Sequence, residues 1–389
     1  MTQEQAMEIL LSWQNCFLTG KAWTWKSYLT DKFIQDRRDY WKNVVVVAPT
    51  GIAAINIGWA TIHSTFKMHG TYLLKRAVKN QSVDWMRIHT IIIDEISMVW
   101  PDYVDYIDYL LQEERWCDRP FGWIQMIFVG DAKQLPPVYV GRTDQEKHEI
   151  DKLIQKYGEL TFDKAVAYKW FTQIELDEIK RTSDPKLIEI LNEVREGMIT
   201  SVSKLNQGYG DAETVHLMPF NNLVDKYNSQ KFQYISWEAR TYDAIIKFQK
   251  LDDFKEKDYV SPVKLELKVW SRVMVTKNLE CGLVNGDLWT VKKLHQDYVL
   301  IHSDRFNQDY WIEITEWKRI EYHGMNERVI WTFSQIPLKL AWAMTIHKSQ
   351  GLTLDNVCVT VVKWMSKELL YVGLSRCTNY EKLFIHHTK

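Results

Sequence analysis

The sequence lacks several features that would assign it to a specialised class of protein. Its 389 residues contain five widely spaced cysteines, which excludes a disulfide-rich scaffold and cysteine-pair metal sites. No apolar run reaches the ~18 residues of a membrane-spanning helix, and residues 1–20 lack a signal-peptide pattern. Lysine and arginine (49) balance aspartate and glutamate (50). We therefore expect a soluble cytoplasmic protein, in which any nucleic-acid binding depends on local groups.

The chain is also short of glycine and rich in tryptophan. It has 16 glycines, whereas an average composition would give roughly 27. It has 18 tryptophans, although tryptophan is normally a rare residue. Because the deficit and the excess are similar in size, we infer an exchange between the two residue types at some positions.

Apolar runs typical of buried strands recur along the first part of the chain. They are "CFLTG", "VVVVAPTG", "TIIIDE" and "QMIFVGD", and amphipathic stretches such as 101–114 separate them. Apolar strands that alternate with helices predict a parallel α/β sheet. Residues 240–335 show short alternating runs, which predict a small all-β module. An α/β pattern returns near the end, so we expect two α/β units, the second interrupted by a β insertion.

The segment "FLTGKAWTWKSYL" has the frame of a phosphate-binding loop that follows a strand and opens a helix. Lys26 and Ser27 stand where such a loop holds phosphate and Mg²⁺. Trp23 and Trp25 stand where the loop needs glycine, because its backbone approaches phosphate oxygens closely and takes positive φ. An ordinary strand–turn–helix explains this octet about equally well.

Two further strand ends carry polar groups suited to nucleotide hydrolysis. "IIIDEISMV" places Asp94 near a metal ion and Glu95 near an attacking water, although acidic residues also begin many ordinary helices. "FVGDAKQLPPV" places Gln134 where an amide can sense a γ-phosphate. A proline turn after a strand accounts for the prolines of that string and leaves the rest unexplained.

Two motifs near the end of the chain complete the series. "AWAMTIHKSQGLTLD" clusters hydroxyl, imidazole and ammonium groups that suit phosphate contacts, and "YVGLSRCT" contains Arg376. Arg376 and the earlier Arg181 have the chemistry to stabilise charge on a transferring phosphoryl group. A lone arginine is usually a surface residue, so both depend on their context.

The ordered motifs resemble those of the PIF/RecD-type DNA helicases of superfamily 1 over nearly the whole chain, with "DEISM" and "TIHKSQG" the most specific. The resemblance implies two RecA-like P-loop NTPase domains with ATP and Mg²⁺ between them. Residues 1–155 would form the first, with a small pin at about 67–85. Residues 156–225 and 333–389 would form the second, interrupted by an SH3-like β insertion at 226–332.

The resemblance also implies roles for individual residues. For the nucleotide these are Gln5 at the adenine, the loop residues Gly20, Lys21, Ala22, Trp23, Thr24, Trp25, Lys26 and Ser27, and Gln350 and Gly351. For catalysis they are Lys26, Asp94, Glu95, Gln134, Arg181 and Arg376, with Ser27 and Asp94 holding Mg²⁺. For DNA they are Thr50, His63, Phe66, Thr345, His347 and Lys348.

The activity implied by the resemblance is ATP-driven 5′-to-3′ translocation on single-stranded DNA. The expected partners are single-stranded DNA and its junctions with duplex, without a membrane, and the expected form is a monomer at the nucleoid of a bacterial-type cytoplasm. A helicase-shaped DNA-binding protein without ATPase activity is the alternative if Trp23 and Trp25 are genuine. A P-loop GTPase is disfavoured, because it explains neither "TIHKSQG" nor "YVGLSR".

Tryptophan replaces family glycines at several positions. The cases are Trp23, Trp25, Trp59, Trp123, Trp270 and Trp289, with Trp13, Trp331 and Trp364 in further turn contexts. Core packing does not suit turn positions, and decay of a pseudoenzyme would leave varied replacements. Some bacteria read UGA as glycine, and translation of such a gene with a code that reads UGA as tryptophan predicts this pattern. Recoded glycine codons are therefore our hypothesis.

Overall fold

A computed structural model describes most of the chain. The described residues are 1–21, 24–49, 60–68, 83–137, 144–176, 184–248, 261–277, 279–283, 286–303, 307–323, 326–350 and 352–388. The predicted pin lies largely outside these ranges, as do Ala22, Trp23, Thr50, Trp59, Arg181 and Gly351. The chain divides into two compact units: unit 1 comprises 1–207, 353–355 and 364–383, and unit 2 comprises 208–352, 356–363 and 384–389.

The described residues form eight helices, and a side chain caps the first turn of four of these helices. The eight are α1 (Gln3–Leu11), α2 (Lys26–Asp39), α3 (Ile62–Thr65), α4 (Pro101–Arg115), α5 (Asp144–Tyr157), α6 (Pro185–Arg195), α7 (Asn221–Gln233) and α8 (Lys367–Leu374). The Asp184 side chain caps α6 and Ser366 caps α8. Short 3₁₀ turns lie at Trp85–Arg87, Ile96–Met98, Pro120–Trp123, Phe162–Lys164, Val166–Trp170, Ile199–Lys204, Ile346–Ser349 and Tyr380–Lys382.

Unit 1 contains a parallel sheet in the order β3-β2-β4-β5-β1-β6. Its strands are β1 (Asn15–Gly20), β2 (Asn43–Ala48), β3 (Ala60–Thr61), β4 (Ile88–Ile93), β5 (Gln125–Val129) and β6 (Phe171–Leu176). The four central strands are the apolar runs of the sequence, and β5 is buried along its whole length. The predicted parallel α/β sheet is therefore confirmed.

The core of unit 1 fills both faces of this sheet. Successive residues of β4 point to opposite faces, so Ile91 and Ile93 belong to one apolar cluster and Ile92 to the other. Leu110 of α4 packs in the first cluster, and Phe33 of α2 packs in the second. Burial on both faces explains why these strands read as continuous apolar runs.

Unit 2 combines a parallel sheet with antiparallel β structure. The sheet order includes β19-β8-β20-β21, from β8 (Val215–Met218), β19 (Ala343–Thr345), β20 (Val357–Val361) and β21 (Leu383–His387), and β8 pairs in parallel with both β19 and β20. The short β7 (Asn206–Gln207) precedes it in the chain. Strand alternation with α7 again follows the predicted α/β pattern.

Within its described residues, the antiparallel region holds three sheets, ordered β15-β14-β13-β12-β18, β11-β9 and β10-β17-β16. Its strands are β9 (Arg240–Asp243), β10 (Ile245–Phe248), β11 (Lys264–Leu267), β12 (Arg272–Val275), β13 (Leu288–Leu294), β14 (Tyr298–Ser303), β15 (Gln308–Glu313), β16 (Thr315–His323), β17 (Asn326–Gln335) and β18 (Leu338–Leu340). The β structure expected from the alternating runs is thus present. It starts after α7 and continues past residue 332, and the insertion bounds 226–332 stay a prediction. Among the described residues, no helix has the length and apolarity needed to cross a membrane.

Candidate active site

The carboxyl ends of three neighbouring strands bring the main motifs together in unit 1. Strands β4, β5 and β1 are adjacent, so their carboxyl ends share one edge of the sheet. Gly20 ends β1, Asp94 follows β4, and Asp131 lies just beyond β5. This edge is where open α/β sheets bind their ligands.

Gly20 begins the phosphate-binding loop and has no room for a side chain. A Cβ atom at this position would lie 2.5 Å from Thr24 Oγ1 and 2.7 Å from the Leu176 carbonyl oxygen. Thr24 is buried and its hydroxyl donates to the Lys21 carbonyl at 2.9 Å. Thr24 therefore packs closely against Gly20 at the end of β1.

Lys26, the first residue of α2, points back into this loop. Its Nζ donates to the carbonyls of Gly20 at 2.8 Å and Lys21 at 3.0 Å. Burial lowers the pKa of the Lys26 ammonium, and nearby carboxylates, Asp131 foremost, act to raise it. The ammonium thus lies among backbone oxygens and acidic groups, where an anionic ligand would compete with the carbonyls for its protons.

Asp94 and Glu95 form the acidic part of the site. Burial raises the pKa of Asp94 to about 7, and the adjacent Glu95 acts in the same direction. The Glu95 N–H donates to Asp94 Oδ1 at 2.9 Å, which orients that carboxyl group. Asp94 and Ser27 line one cavity of about 440 Å³ together with Thr30 and Asp31. Hydroxyl and carboxylate oxygens in a polar cavity are the ligands that Mg²⁺ prefers, so these residues fit the ion.

Asp131 is held by two residues that the sequence analysis missed. Its carboxylate is fully buried and accepts hydrogen bonds from Arg195 Nη2 at 3.0 Å and Tyr371 Oη at 3.3 Å. Arg195 ends α6, and Tyr371 lies in α8 at the start of "YVGLSR". Tyr371 at least belongs to the recognised motif "YVGLSR". Nothing in the sequence near Arg195 marks it as a partner of Asp131.

Gln134 follows in the turn that Asp131 organises. The Gln134 N–H donates to the Asp131 carbonyl at 3.0 Å, and the Lys133 N–H donates to Asp131 Oδ1 at the same distance. Gln134 itself is buried. The structure therefore places the amide predicted to sense a γ-phosphate on a turn fixed at the ligand-binding edge.

Arg376 and Gln5 are engaged in local contacts. Arg376 is buried at the end of α8, where its Nε donates to the Val372 carbonyl at 2.9 Å and its Nη2 to Ser375 Oγ at 2.8 Å. Gln5 is exposed, and its side chain accepts from the Thr2 N–H at 3.2 Å in a capping box that begins α1. The roles assigned to both residues remain predictions. Gln350 is buried in unit 2.

Trp25 takes a conformation that favours glycine. It precedes α2 with φ 60° and ψ 28°, and its ring packs edge to face on Tyr28, with centroids 4.6 Å apart. Ten described non-glycine residues have positive φ, and six of them are tryptophan: Trp13, Trp25, Trp41, Trp116, Trp123 and Trp270. All six are exposed, so burial of the indole does not offset the strain of this backbone geometry.

Three other tryptophans that were predicted to replace glycine differ from these six in backbone conformation or in exposure. Trp289 is buried in β13 and packs edge to face on Tyr310, with centroids 5.2 Å apart, as an ordinary core residue does. Trp331 lies within β17, and Trp364 is exposed without a positive φ. Trp41 and Trp116 were not singled out from the sequence, because turn geometry is not visible in the residue letters alone.

His63 and Phe66, which were both predicted to contact DNA in unit 1, differ in exposure. His63 is exposed on α3, and its ring lies 5.4 Å from the Tyr103 ring in a T-shaped arrangement. Phe66 is fully buried and stacks on Trp85 with centroids 5.3 Å apart. The Phe66 ring belongs to the apolar core of unit 1, and its predicted contact with DNA stays a prediction.

In unit 2, two of the predicted DNA residues share a cavity with a lysine that the sequence analysis did not select. Thr345, Lys348 and Lys339 line a cavity of about 470 Å³. His347 is partly buried beside them in the chain, and burial lowers the pKa of its imidazole. The sequence analysis overlooked Lys339 because it lies in β18, outside the recognised motif.

A glycine-started loop with Lys-Ser, an Asp-Glu pair and a Gly-Asp turn at one edge of a parallel sheet defines a P-loop NTPase. The PIF1-like helicase family matches this chain over residues 5–205, and the chain belongs to that family. The two RecA-like domains expected from the motifs are those of this family.

Relatives are similar along almost the whole chain. The ATP-dependent DNA helicase PIF1 of Emericella nidulans is 30% identical, over 94% of this chain and 57% of its own length. That of Danio rerio is 31% identical, over 98% and 60%. The Pif1 of Bdellovibrio bacteriovorus is 28% identical, over 98% and 86%. The chain thus spans less than two thirds of the first two relatives.

Solved Pif1 structures share the fold. A Bacteroides Pif1 bound to ssDNA has 33% identity and a TM-score of 0.81, with 98% of this chain and 91% of that chain covered. The same helicase in complex with ADP-AlF3 and ssDNA has 33% identity, the same coverage and a TM-score of 0.80. Pif1 from Candida albicans has 28% identity, covers 100% and 94%, and gives a TM-score of 0.83.

Proposed function

We propose that this chain is an ATP-dependent DNA helicase that moves 5′-to-3′ along single-stranded DNA. The observation that carries the proposal is the convergence of Lys26, Asp94 and Gln134 at one edge of the unit 1 sheet. Membership of the PIF1-like family supports it, as does a related structure with both ADP-AlF3 and ssDNA.

Lys26 binds the phosphates of the nucleotide in this proposal. Its ammonium exchanges the carbonyls of Gly20 and Lys21 for phosphate oxygens, which carry more negative charge. The backbone N–H groups at the start of α2 add the positive end of the helix dipole. Bound Mg-ATP supplies the phosphoanhydride bond, and the protein supplies the positioning.

Asp94 and Ser27 would hold Mg²⁺, and Glu95 would orient the attacking water. Asp94 must lose its proton to bind Mg²⁺, and its pKa of about 7 allows this near neutral pH. Gln134 stays fixed by the Asp131 turn and contacts the terminal phosphate. Arg376 gives up its contacts to Val372 and Ser375 when it turns to the nucleotide, and Arg181 has the same charge-stabilising role.

The DNA strand follows Thr345, His347 and Lys348 in unit 2, and Thr50 and His63 in unit 1. A single-strand groove needs cations for phosphates and flat side chains for bases. Local groups provide both, although the net charge of the chain is -1. We propose a monomer as the working form on single strands and junctions. A related structure describes two coordinating Pif1 helicases at forked dsDNA, so the stoichiometry needs measurement.

We also propose that the native residues at the exposed left-handed tryptophan positions, and at Trp23 of the phosphate loop, are glycines encoded by UGA. Six tryptophans with positive φ support this. Codons UGG at positions 23 and 25 would refute it for the loop. The five cysteines are free thiols, which fits the proposed bacterial-type cytoplasm beside the nucleoid.

The test compares DNA-stimulated ATP hydrolysis and strand displacement among matched variants. We expect little ATPase activity from the chain with Trp23 and Trp25, and higher activity after Trp23→Gly with Trp25→Gly. Adding Lys26→Met to that double variant should abolish the gain. Forks with a 5′ tail should be unwound in preference to forks with a 3′ tail. Strong ATPase activity that survives Lys26→Met would overturn the proposal.

A further inference from the structure

Two lysine side chains line the same cavity of unit 2. Lys339 is half-buried and Lys348 is exposed, and Thr345 lines the cavity with them. Like charges repel, and Lys348 acts to lower the pKa of Lys339. An anion placed between them would convert the repulsion into two attractive contacts.

The charges around this pair leave it short of negative partners. Burial, and after it Lys348, lower the pKa of Lys339 to about 7, although Asp225 of α7 acts to raise it. Strand β11 contributes Lys264 and Glu266 to the same cavity, a pair of opposite charges that ion-pair with each other at 3.3 Å. The cavity therefore favours a ligand that brings negative charge to Lys339.

The backbone that carries these groups is held in place. Asn228 of α7 accepts from the Ala343 N–H at 2.8 Å and donates to the carbonyls of Leu340 at 3.3 Å and Ala343 at 3.1 Å. This side chain therefore fixes the segment between Lys339 and Thr345. A preformed arrangement of donors lowers the entropic cost of binding an anion.

The remaining walls suit a larger ligand than a simple anion. Asn221, the first residue of α7, lines the cavity, so the positive end of that helix dipole faces it. Phe232, Leu265 and Met274 add apolar surface. A phosphate group with an attached sugar and base uses both the cationic and the apolar walls.

We propose that this cavity binds one phosphodiester group of a single nucleic-acid strand, held between Lys339 and Lys348 with the Thr345 hydroxyl. The inference rests on the proposed function, in which Thr345 and Lys348 already belong to the DNA track. Its new element is Lys339, a phosphate ligand contributed by β18 outside the motif.

The experiment measures binding of a fluorescein-labelled 20-nucleotide oligo-dT by anisotropy across a range of KCl concentrations. Each lost phosphate contact to a single strand lowers the slope of log affinity against log salt by about 0.7. We expect this reduction for Lys339→Met and for Lys348→Met, and the wild-type slope for Lys339→Arg. Lys293→Met, an exposed lysine of β13 in the same unit, is the charge-matched control and should leave the slope unchanged.

The outcomes of these measurements distinguish failure of the strand-site inference from failure of the helicase proposal. If the wild-type protein binds oligo-dT and Lys339→Met keeps its slope, this inference fails and the helicase proposal stands. If the wild-type protein binds no oligo-dT, both fail. A thermal melting series with inorganic phosphate tests the other source of the same chemistry. Tight phosphate binding that requires Lys339 but is unaffected by oligo-dT would overturn the strand site. The melting temperature of Lys339→Met should equal or exceed the wild-type value, because the substitution removes repulsion.

Discussion

Arg195 donates two hydrogen bonds to the fully buried carboxylate of Asp131, from Nη2 at 3.0 Å and from Nε at 3.4 Å. Tyr371 adds a third contact at 3.3 Å. This arrangement ties the turn after β5 to α6 and α8 within unit 1. Because the same turn carries Gln134, the ion pair positions a residue that we assign to the terminal phosphate.

Removal of one partner of this ion pair should lower the free energy of unfolding. Arg195→Met leaves the Asp131 carboxylate buried without its cation, and such changes typically cost about 3–5 kcal/mol. We expect a loss of that size in the free energy of unfolding, measured by urea denaturation. In the background of Trp23→Gly with Trp25→Gly, DNA-stimulated ATPase activity should also fall when Arg195→Met is added, because the turn that holds Gln134 is released.

Lys133→Met is the matched control, since it removes a cation from the same turn. Lys133 pairs with Glu196 at 2.7 Å, but both side chains are about half exposed, so solvent screens this pair and its loss should change stability little. Asp131→Asn combined with Arg195→Met should recover part of the loss. Equal effects of Arg195→Met and Lys133→Met would contradict the structural role of the buried pair.

Mg²⁺ binding should depend on pH through Asp94. The folded pKa of Asp94, about 7, exceeds the ordinary aspartate value of about 3.9. Between these two pH values the folded state binds a proton that the unfolded state lacks. The stability that this proton contributes is lost as pH rises towards 7. Mg²⁺ must displace that proton. We therefore expect its affinity to fall about tenfold per pH unit below about 7, measured as the Mg²⁺-dependent shift in melting temperature at pH 6 and pH 8.

Asp94→Asn should remove the Mg²⁺ shift at both pH values. Asp39→Asn changes a carboxylate that lines the same cavity away from the strand ends, and it should behave as wild type. A wild-type shift that is identical at pH 6 and pH 8 would show that Asp94 is not the titrating ligand.

The sequence predicted those parts of the site that depend on local order. Lys26 and Asp94 follow apolar strands directly, so strand adjacency alone brings them together. The burial of Phe66 could not be predicted, because a motif position does not show whether a ring faces solvent or the core. Arg195 was missed because its partner, Asp131, lies 64 residues earlier in the chain, and only the tertiary fold joins them.

Replacement of a left-handed tryptophan by glycine should stabilise the protein. Trp41 has φ 58° and is 92% exposed, so Trp41→Gly relieves a backbone strain of about 1–2 kcal/mol and loses almost no burial. Part of this gain is offset by the greater entropy of glycine in the unfolded chain. We expect a net gain of about 0.5–1 kcal/mol in the free energy of unfolding, measured by urea denaturation.

Trp364→Gly provides the comparison for that substitution. Trp364 is 86% exposed but has no positive φ, so glycine there adds unfolded-state entropy without relieving strain. It should cost roughly 0.5–1 kcal/mol. Destabilisation by both substitutions would argue that Trp41 is a native tryptophan with contacts of its own.

Binding of a DNA strand should be linked to proton uptake by Lys339. With a pKa of about 7 in the free protein, Lys339 is mostly neutral at pH 8, and a phosphodiester beside it favours the ammonium form. Lys348 opposes protonation, whereas Asp225 and the bound phosphate support it. Calorimetry of oligo-dT binding in buffers of different ionisation enthalpy should therefore show uptake of up to about one proton at pH 8 and markedly less at pH 6. Lys339→Met should abolish the proton uptake at pH 8, and the control Lys293→Met should retain it. A wild-type protein that takes up no proton at pH 8 would rule Lys339 out as a phosphate ligand.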